Sequence, residues 1–395
     1  MGVSKRTIAR KWARAKDNRA NGHIDAYVAP PERKGRCGRK WKWDRDELSK
    51  SLLSLPLEDK LTLSSLSQAL QVPKTSLWRI KEQEEDCITP HSSAIKPLLS
   101  EENKVERIYY GAARLTENTD EYEDFYETIH INEKWFFVCQ KALHCYLGRG
   151  EIPPERFCKH KSHIEKIMFL VAVARPRFDA EGNCIFDGKI GCWPFIEMKQ
   201  AQRNSPNRDR GTWEIHNINV TKEVYLDFML NKVLPAVKQK WPDRGLNRRV
   251  RIQHDNAKTH FKKNHPLFLA AGSIGRWNIT IQEQPPNSPD FNVLDLAFFR
   301  SLQSLQWRLA FPNNKEELLN RVMEAWENYP PPSIDSAFHS LVLCIDESVK
   351  NRGCNVYEIP HTNKEQTRRE NNGVLPMRCP VSQQAREVYQ DMGLL

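Results

Sequence analysis

The chain has no stretch of about 18 consecutive apolar residues, which excludes a membrane-spanning helix of ordinary length. It has no Cys-x-x-Cys pair either. Its ten cysteines are scattered, without the framework of a small secreted domain, and read as reduced thiols of an intracellular protein. One Cys/His cluster, Cys158-x-His160-x-x-His163, lacks a fourth ligand at metal-like spacing and lies among lysines, so it reads as a basic surface loop rather than a zinc site. Acidic residues are missing from Met1 to Lys16, a bias shared with transit peptides. The wider charge distribution gives that bias a better account.

At 395 residues the chain can form two or three domains with a substantial core. Its formal charge is +10, and the location of that charge matters more than its size. Residues 1–50 hold 15 lysines and arginines against six acids, nearly the whole excess. A basic arm on a nearly neutral remainder points to a polyanion as partner.

Val3 to Ala15 reads as a helix capped by Ser4, with Val3, Ile8, Trp12 and Ala15 on one side and Lys5, Arg6 and Arg10 facing outward. Asp17 to Arg45 reads as a linker, because Pro30-Pro31 and several glycines oppose regular structure. Within it, Arg36 and Arg39 alternate with glycines, a pattern suited to a narrow minor groove and equally to a solvated linker that doubles as a nuclear import signal. Leu63, Leu66, Ala69 and Leu70 mark a short helix, and Pro73 opens a second with Leu77 and Ile80 inward. Lys74, Thr75, Ser76, Trp78 and Arg79 then face out, as in a helix-turn-helix that reads a major groove of double-stranded DNA. Gln71 stands in the turn where glycine is common, which predicts a slightly strained backbone.

From Thr128 the pattern turns to strands: Ile129–Phe137, Ile164–Ala174, Glu214–Val220, Val250–Gln253 and Asn278–Gln282. Helices are expected at Lys222–Trp241, through Phe268, and at Leu294–Leu309, Lys315–Glu327 and Ser333–Val349, an alternating α/β plan. Two carboxylates end separate elements of this plan. Asp255 follows the Val250 strand in Arg251-Ile252-Gln253-His254-Asp255-Asn256-Ala257-Lys258-Thr259-His260, and Asp295 opens a helix after the rigid Gln284-Pro285-Pro286-Asn287-Ser288-Pro289-Asp290 approach. Alone, each is an ordinary capping or turn residue. His254 and His260 read as surface or capping groups, and Trp135, Phe136 and Phe137 as core and its margin.

These two stretches, with 39 residues between the aspartates, and Ile129-His130-Ile131-Asn132-Glu133-Lys134-Trp135-Phe136-Phe137 resemble the three catalytic blocks of mariner-like transposases of the plant-type branch. The resemblance implies a ribonuclease-H-like catalytic domain preceded by an all-α helix-turn-helix region. Its expected divisions are 1–16, a remnant of a first helix-turn-helix whose two preceding helices are missing; 17–50, a basic linker; 51–110, a second helix-turn-helix and connector; 111–352, the catalytic domain; and 353–395, a tail. It further implies action on terminal inverted repeats of double-stranded DNA, a homodimer, a nuclear location, and neither a membrane nor a small-molecule substrate.

The resemblance also assigns the catalytic and metal positions to Asn132, Asp255 and Asp295. In the family, three carboxylates hold two Mg²⁺ or Mn²⁺ ions for in-line phosphoryl transfer. Asn132 stands where the family has aspartate. It keeps the size and loses the charge, so metal binding is expected to be weakened and cleavage poor or absent. Glu133 does not replace it, because neighbouring side chains on a strand point to opposite faces. The competing expectation is a catalytically inactive, sequence-specific DNA-binding protein that keeps the domain as a scaffold. A weaker one is a nuclease acting on RNA hybrids, which would not need the basic arm.

Overall fold

The computed structural model describes residues 5–21, 44–83, 88–89, 95–139, 152, 155, 160, 164–205, 208–242, 249–308, 312–360 and 362–395. The Arg36 and Arg39 linker and most of the Cys158–His163 cluster lie outside them. The chain divides into two compact units, Met1–Ala94 and Ile95–Leu395.

The first unit is helical. Helix α1 (Lys5–Ala20) runs one turn past the expected linker start, and its apolar positions Ile8 and Trp12 stay exposed. Helix α2 (Arg45–Ser54) occupies sequence expected to be linker; Asp44 caps it by accepting the Asp46 and Glu47 N–H groups. Helices α3 (Leu63–Leu70) and α4 (Lys74–Gln83) follow, α3 opening with a Thr62–Ser65 capping box. Leu48 of α2 joins Leu66, Val72, Leu77 and Ile80 in one small core, so the expected hairpin is a three-helix unit. Gln71 does adopt the left-handed conformation, φ 55° and ψ 30°, as its place in the turn predicts.

The second unit begins with α5 (Glu101–Ala112), capped by Ser100. The expected connector thus belongs to the second unit, into whose core Ile108 and Tyr110 are buried. The sheet contains β1 (Thr128–Phe137), β2 (Lys166–Ala174), β5 (Lys189–Pro194), β8 (Arg249–His254) and β9 (Asn278–Glu283), in the order β5-β2-β1-β8-β9. Strands β5, β2 and β1 are antiparallel neighbours, whereas β1, β8 and β9 run parallel. The alternating plan is therefore correct only for the second half of the sheet.

Strand β5 is absent from the expected plan. Its entry needs Gly188 at φ 77°, where a Cβ would fall 2.3 Å from the Ala174 carbonyl oxygen. Strands β3 (Arg177–Phe178) and β4 (Cys184–Phe186) pair with each other, as do β6 (Ile196–Gln200) and β7 (Trp213–Asn217). The expected Glu214–Val220 strand thus lies in a separate ribbon.

Helices cover both faces. On one, α6 (Lys222–Phe228), α7 (Leu234–Lys240) and α8 (Pro266–Ser273) bury Tyr225, Phe228, Val237 and Phe268 against Ile129, Ile131 and Ile252. A π-helical turn, Met229–Val233, joins α6 to α7. On the other face, α5 packs with α9 (Phe299–Arg308), α10 (Lys315–Glu327), α11 (Pro331–Lys350) and the C-terminal α13 (Gln383–Asp391) over Phe136, Phe169 and Val171. Short α12 (Lys364–Glu370) precedes α13.

The helix expected directly after Asp255 begins only at Pro266. Asp255 Oδ1 accepts the Ala257 N–H at 2.9 Å, closing a local turn that competes with helix.

Candidate active site

Strand alternation decides which side chains reach the carboxylates. Thr128 pairs with Arg251 and His130 with Gln253, so the next residue on that face of β1 is Asn132, and Asp255 is two residues past Gln253. Asn132 is buried. Its Nδ2 donates to Asp295 Oδ2 at 2.7 Å and its Oδ1 accepts the Glu133 N–H at 2.7 Å. Asp295 lies in a π-helical turn, Leu294–Phe298, whose entry is fixed by Asn292: Oδ1 of that fully buried residue accepts the Leu294 N–H at 3.0 Å. Asp255 and Asp295 line one cleft of about 510 Å³ with Asn256, Gln284 and Ser288.

The electrostatics of the two aspartates differ. The surrounding protein, then the charge of Asp255, pushes the Asp295 carboxyl up to about 6, against the opposing pull of Lys134 and the Asn132 amide. Asp295 nevertheless opens to the cleft, where solvent moderates that effect. Burial would raise Asp255 too, but its hydrogen bond to His260 and that residue's charge hold it below its ordinary value.

His260 is the residue that sequence reasoning misplaced. It is buried, and so is His254. His260 Nδ1 lies 3.0 Å from Asp255 Oδ1, and its Nε2 lies 3.0 Å from Glu133 Oε1. The ring stacks with Tyr225, at 4.0 Å, and with His254, at 4.9 Å, the three rings forming one cluster. Burial disfavours the imidazolium, yet the bonds to Asp255 and Glu133 outweigh it and raise His260 to about 10. His254, desolvated beside that cation, falls to about 3 and is neutral. Glu133 therefore does project away from Asp295, into the His260 stack.

A second network ties α5 to both carboxylate segments. Fully buried Arg107 makes a fork to Asp290, with bonds of 2.8 and 2.6 Å, and stacks over Phe291. The Tyr357 hydroxyl also donates to Asp290. Tyr110 donates to Gln253 Oε1, and Gln253 Nε2 donates to the Phe291 carbonyl at 2.8 Å. No local sequence signal marks these partners, because they are 143 and 183 residues apart.

In the first unit, Lys74, Thr75, Trp78 and Arg79 are exposed on α4 and Ser76 is half-buried, while Leu77 and Ile80 point inward. Lys5, Arg6 and Arg10 are exposed on α1.

The donor set does not fit a pair of divalent ions. Among the described residues no group of three or more His, Cys, Asp or Glu side chains is placed to hold one ion. The third position presents an amide N–H to Asp295, and Asp255 is already opposed by the His260 cation. Two carboxylates sharing a cleft remain; with waters and substrate phosphates that is enough oxygen for one Mg²⁺, and one carboxylate short of the three expected for two ions.

No family model matches the chain, and no curated protein matches it. Solved structures do. A Mos1 transposase paired-end complex with the left transposon end is 17% identical over 89% of this chain and 89% of its own, with a TM-score of 0.50. A pre-cleavage Mos1 transpososome is 17% identical over 90% of each, TM-score 0.51. The mariner Mos1 paired-end complex with Mg is 18% identical, covering 90% of this chain and 89% of its own, TM-score 0.51. At these identities the likeness is one of fold. The chain has a ribonuclease-H-like α/β unit preceded by an all-α region.

Proposed function

We propose that this chain is a DNA transposase of the mariner-like type that binds terminal inverted repeats and, as written, cleaves them poorly or not at all. The observation that carries this is the Asn132–Asp295 hydrogen bond: three elements bring an amide and two carboxylates together where the family resemblance expects three carboxylates. The neighbours sharing the fold are transposase complexes with transposon ends, one of them containing Mn and another Mg. That supports transposon-end DNA as partner; a homodimer as the acting form and a nuclear site of action belong to the same proposal.

In this reading the first unit recognises DNA. Lys74, Thr75, Ser76, Trp78 and Arg79 meet the major groove and the phosphates bordering it, Lys5, Arg6 and Arg10 do so from the remnant of the first helix-turn-helix, and Arg36 and Arg39 of the linker meet the minor groove. In the second unit, Asp255 and Asp295 present oxygens to the cleft, and His260 and Asn132 fix their orientation. The resemblance implies a divalent pair for phosphoryl transfer, and the donor set present here does not fit one. Without the third carboxylate the chain keeps the shape of that site and lacks the charge for it.

The deciding experiment is Mg²⁺-dependent nicking of cognate end DNA by the parent and by Asn132→Asp. The variant is expected to be faster by about 10²-fold or more, the usual cost of removing one preorganised electrostatic group. Equal rates would sink the assignment of Asn132.

A second reading, a DNA-binding protein that keeps the fold as a scaffold, is favoured by one detail. Asn132 is fully satisfied, donating to Asp295 and accepting from Glu133, so retaining it carries no buried-polar penalty. An Asn132→Asp protein that binds DNA and still does not cut supports that reading.

A further inference from the structure

The cleft of Asp255 and Asp295 has an extension. Asn256, Gln284, Pro285 and Pro286 wall that cleft and also line a cavity of about 720 Å³ between α5 and the β8–β9 edge of the sheet. The two spaces adjoin along those four residues, the larger one, the groove, lying on the side away from the carboxylates.

Its chemistry is mixed in a specific way. Four cations, Arg114, Arg249, Arg251 and Lys263, face three carboxylates, Glu106, Glu123 and Glu283. Glu123 is spent on Arg114 and Arg251, each at 2.6 Å. Arg249 and Lys263 are exposed and have no ion pair among the described residues.

Beside them are buried acceptors without donors. Gln284 is 5% exposed, and its Oε1 has no hydrogen-bond partner among the described residues; neither has Gln282 Oε1. A buried acceptor left unmet is unfavourable, so the lining suits a ligand that supplies N–H donors as well as negative charge. Tyr109, 51% exposed on α5, adds an aromatic face.

A free phosphate would meet the cations and leave both glutamine oxygens unmet. A nucleic-acid strand meets all three demands, with phosphates, exocyclic base amines and stacking surfaces. A cavity of about 720 Å³ has the size of a small-ligand pocket, which a nucleotide or two of one strand fills and a duplex is too wide to enter.

We infer that this groove carries the single DNA strand leading away from the reacting phosphodiester, its backbone against Arg249 and Lys263 and its base edges on Gln282 and Gln284. The inference rests on the reading that the carboxylate cleft receives DNA.

The test uses the full chain and a fluorescein-labelled single-stranded oligodeoxynucleotide of roughly twelve nucleotides, followed by anisotropy. Arg249→Glu and Lys263→Glu change exposed residues, and Arg210→Glu, exposed beyond the β6–β7 ribbon, is the control. Each groove variant is expected to weaken binding about tenfold, with a salt dependence shallower by about 0.7 for each phosphate left unneutralised. The control is expected to bind as the parent does.

The inference is overturned if the parent does not bind the strand, if groove variants bind it unchanged, or if the control loses as much. It is also overturned if a Glu/Asp-rich peptide displaces the strand as well as unlabelled strand does. Duplex end DNA is measured with the same proteins. Retained duplex binding with unaltered strand binding removes the groove and leaves the proposed function standing, whereas a parent that binds neither removes that function.

Discussion

Replacing Asn132 with aspartate should make the protein less stable without metal and more responsive to it. Asn132 Nδ2 lies 2.7 Å from Asp295 Oδ2, so the substitution turns a hydrogen bond into two facing carboxylates. At that distance two unit charges repel by about 6 kcal/mol at an effective dielectric constant near 20. The pair avoids most of this by keeping a proton, which raises one of its pKa values by roughly two units, or about 3 kcal/mol at pH 8. Solvent in the cleft reduces that further, because Asp295 is exposed there. A loss of about 2 kcal/mol is expected, seen as a fall of roughly 4 °C in the melting temperature of the second unit. Added Mn²⁺ at about 100 times its Kd should return about 2.7 kcal/mol to the variant and much less to the parent. The assay is thermal unfolding at pH 8 with and without metal. A variant as stable as its parent in EDTA, or two proteins with the same response to Mn²⁺, would refute the reasoning.

Other expectations follow from the same geometry. Asp295 has a folded pKa of about 6 against an ordinary 3.8, so its stabilising contribution is complete below the ordinary value and is lost as pH rises through 6. Asp295→Asn should therefore gain about 1 kcal/mol over the parent at pH 8, after discounting for solvent, and nothing at pH 3; urea unfolding at both values measures it. Arg107→Met leaves Asp290 without its fork and should cost about 3–5 kcal/mol, while Arg107→Lys keeps the charge and recovers only part of it. Urea midpoints rank the three, and equal midpoints would remove the argument. Lys74→Ala and Arg79→Ala should each make the salt dependence of duplex binding shallower by about 0.9, without altering the unfolding of the second unit. An unchanged slope would take those side chains off the phosphates.

What the sequence discloses is what local patterning encodes. Strand β1 is legible from alternating apolar residues, and so is the consequence that Glu133 faces away from Asp295. The α3–α4 pair is legible from its buried leucines and Pro73, including the left-handed Gln71. Helix α2 is not, because its apolar content is sparse and only Leu48 is buried by its packing. Strand β5 is hidden by Gly188, whose purpose is visible only beside the Ala174 carbonyl. The His260 stack is unreadable for a different reason. Tyr225, Glu133 and Asp255 come from three elements, and without them a histidine after a turn looks like a surface group.

The same networks limit what evolution or mutagenesis can do at position 132. An asparagine is tolerated because both halves of its amide are used, one on Asp295 and the other on the Glu133 N–H. The neighbouring carboxylate cannot make up the deficit. Glu133 is fixed on the opposite face by His260, which in turn orients Asp255, so moving Glu133 toward the cleft would strand a buried imidazolium and release a carboxylate the site still has. Recovery of charge therefore has one short route, through residue 132 itself. The interlock also predicts that His260→Asn combined with Asn132→Asp fails to rescue Mn²⁺ stabilisation where Asn132→Asp alone succeeds, because Asp255 is then no longer aimed. If the double variant gains as much stability from Mn²⁺ as the single one, the stack is only packing and the interlock is wrong.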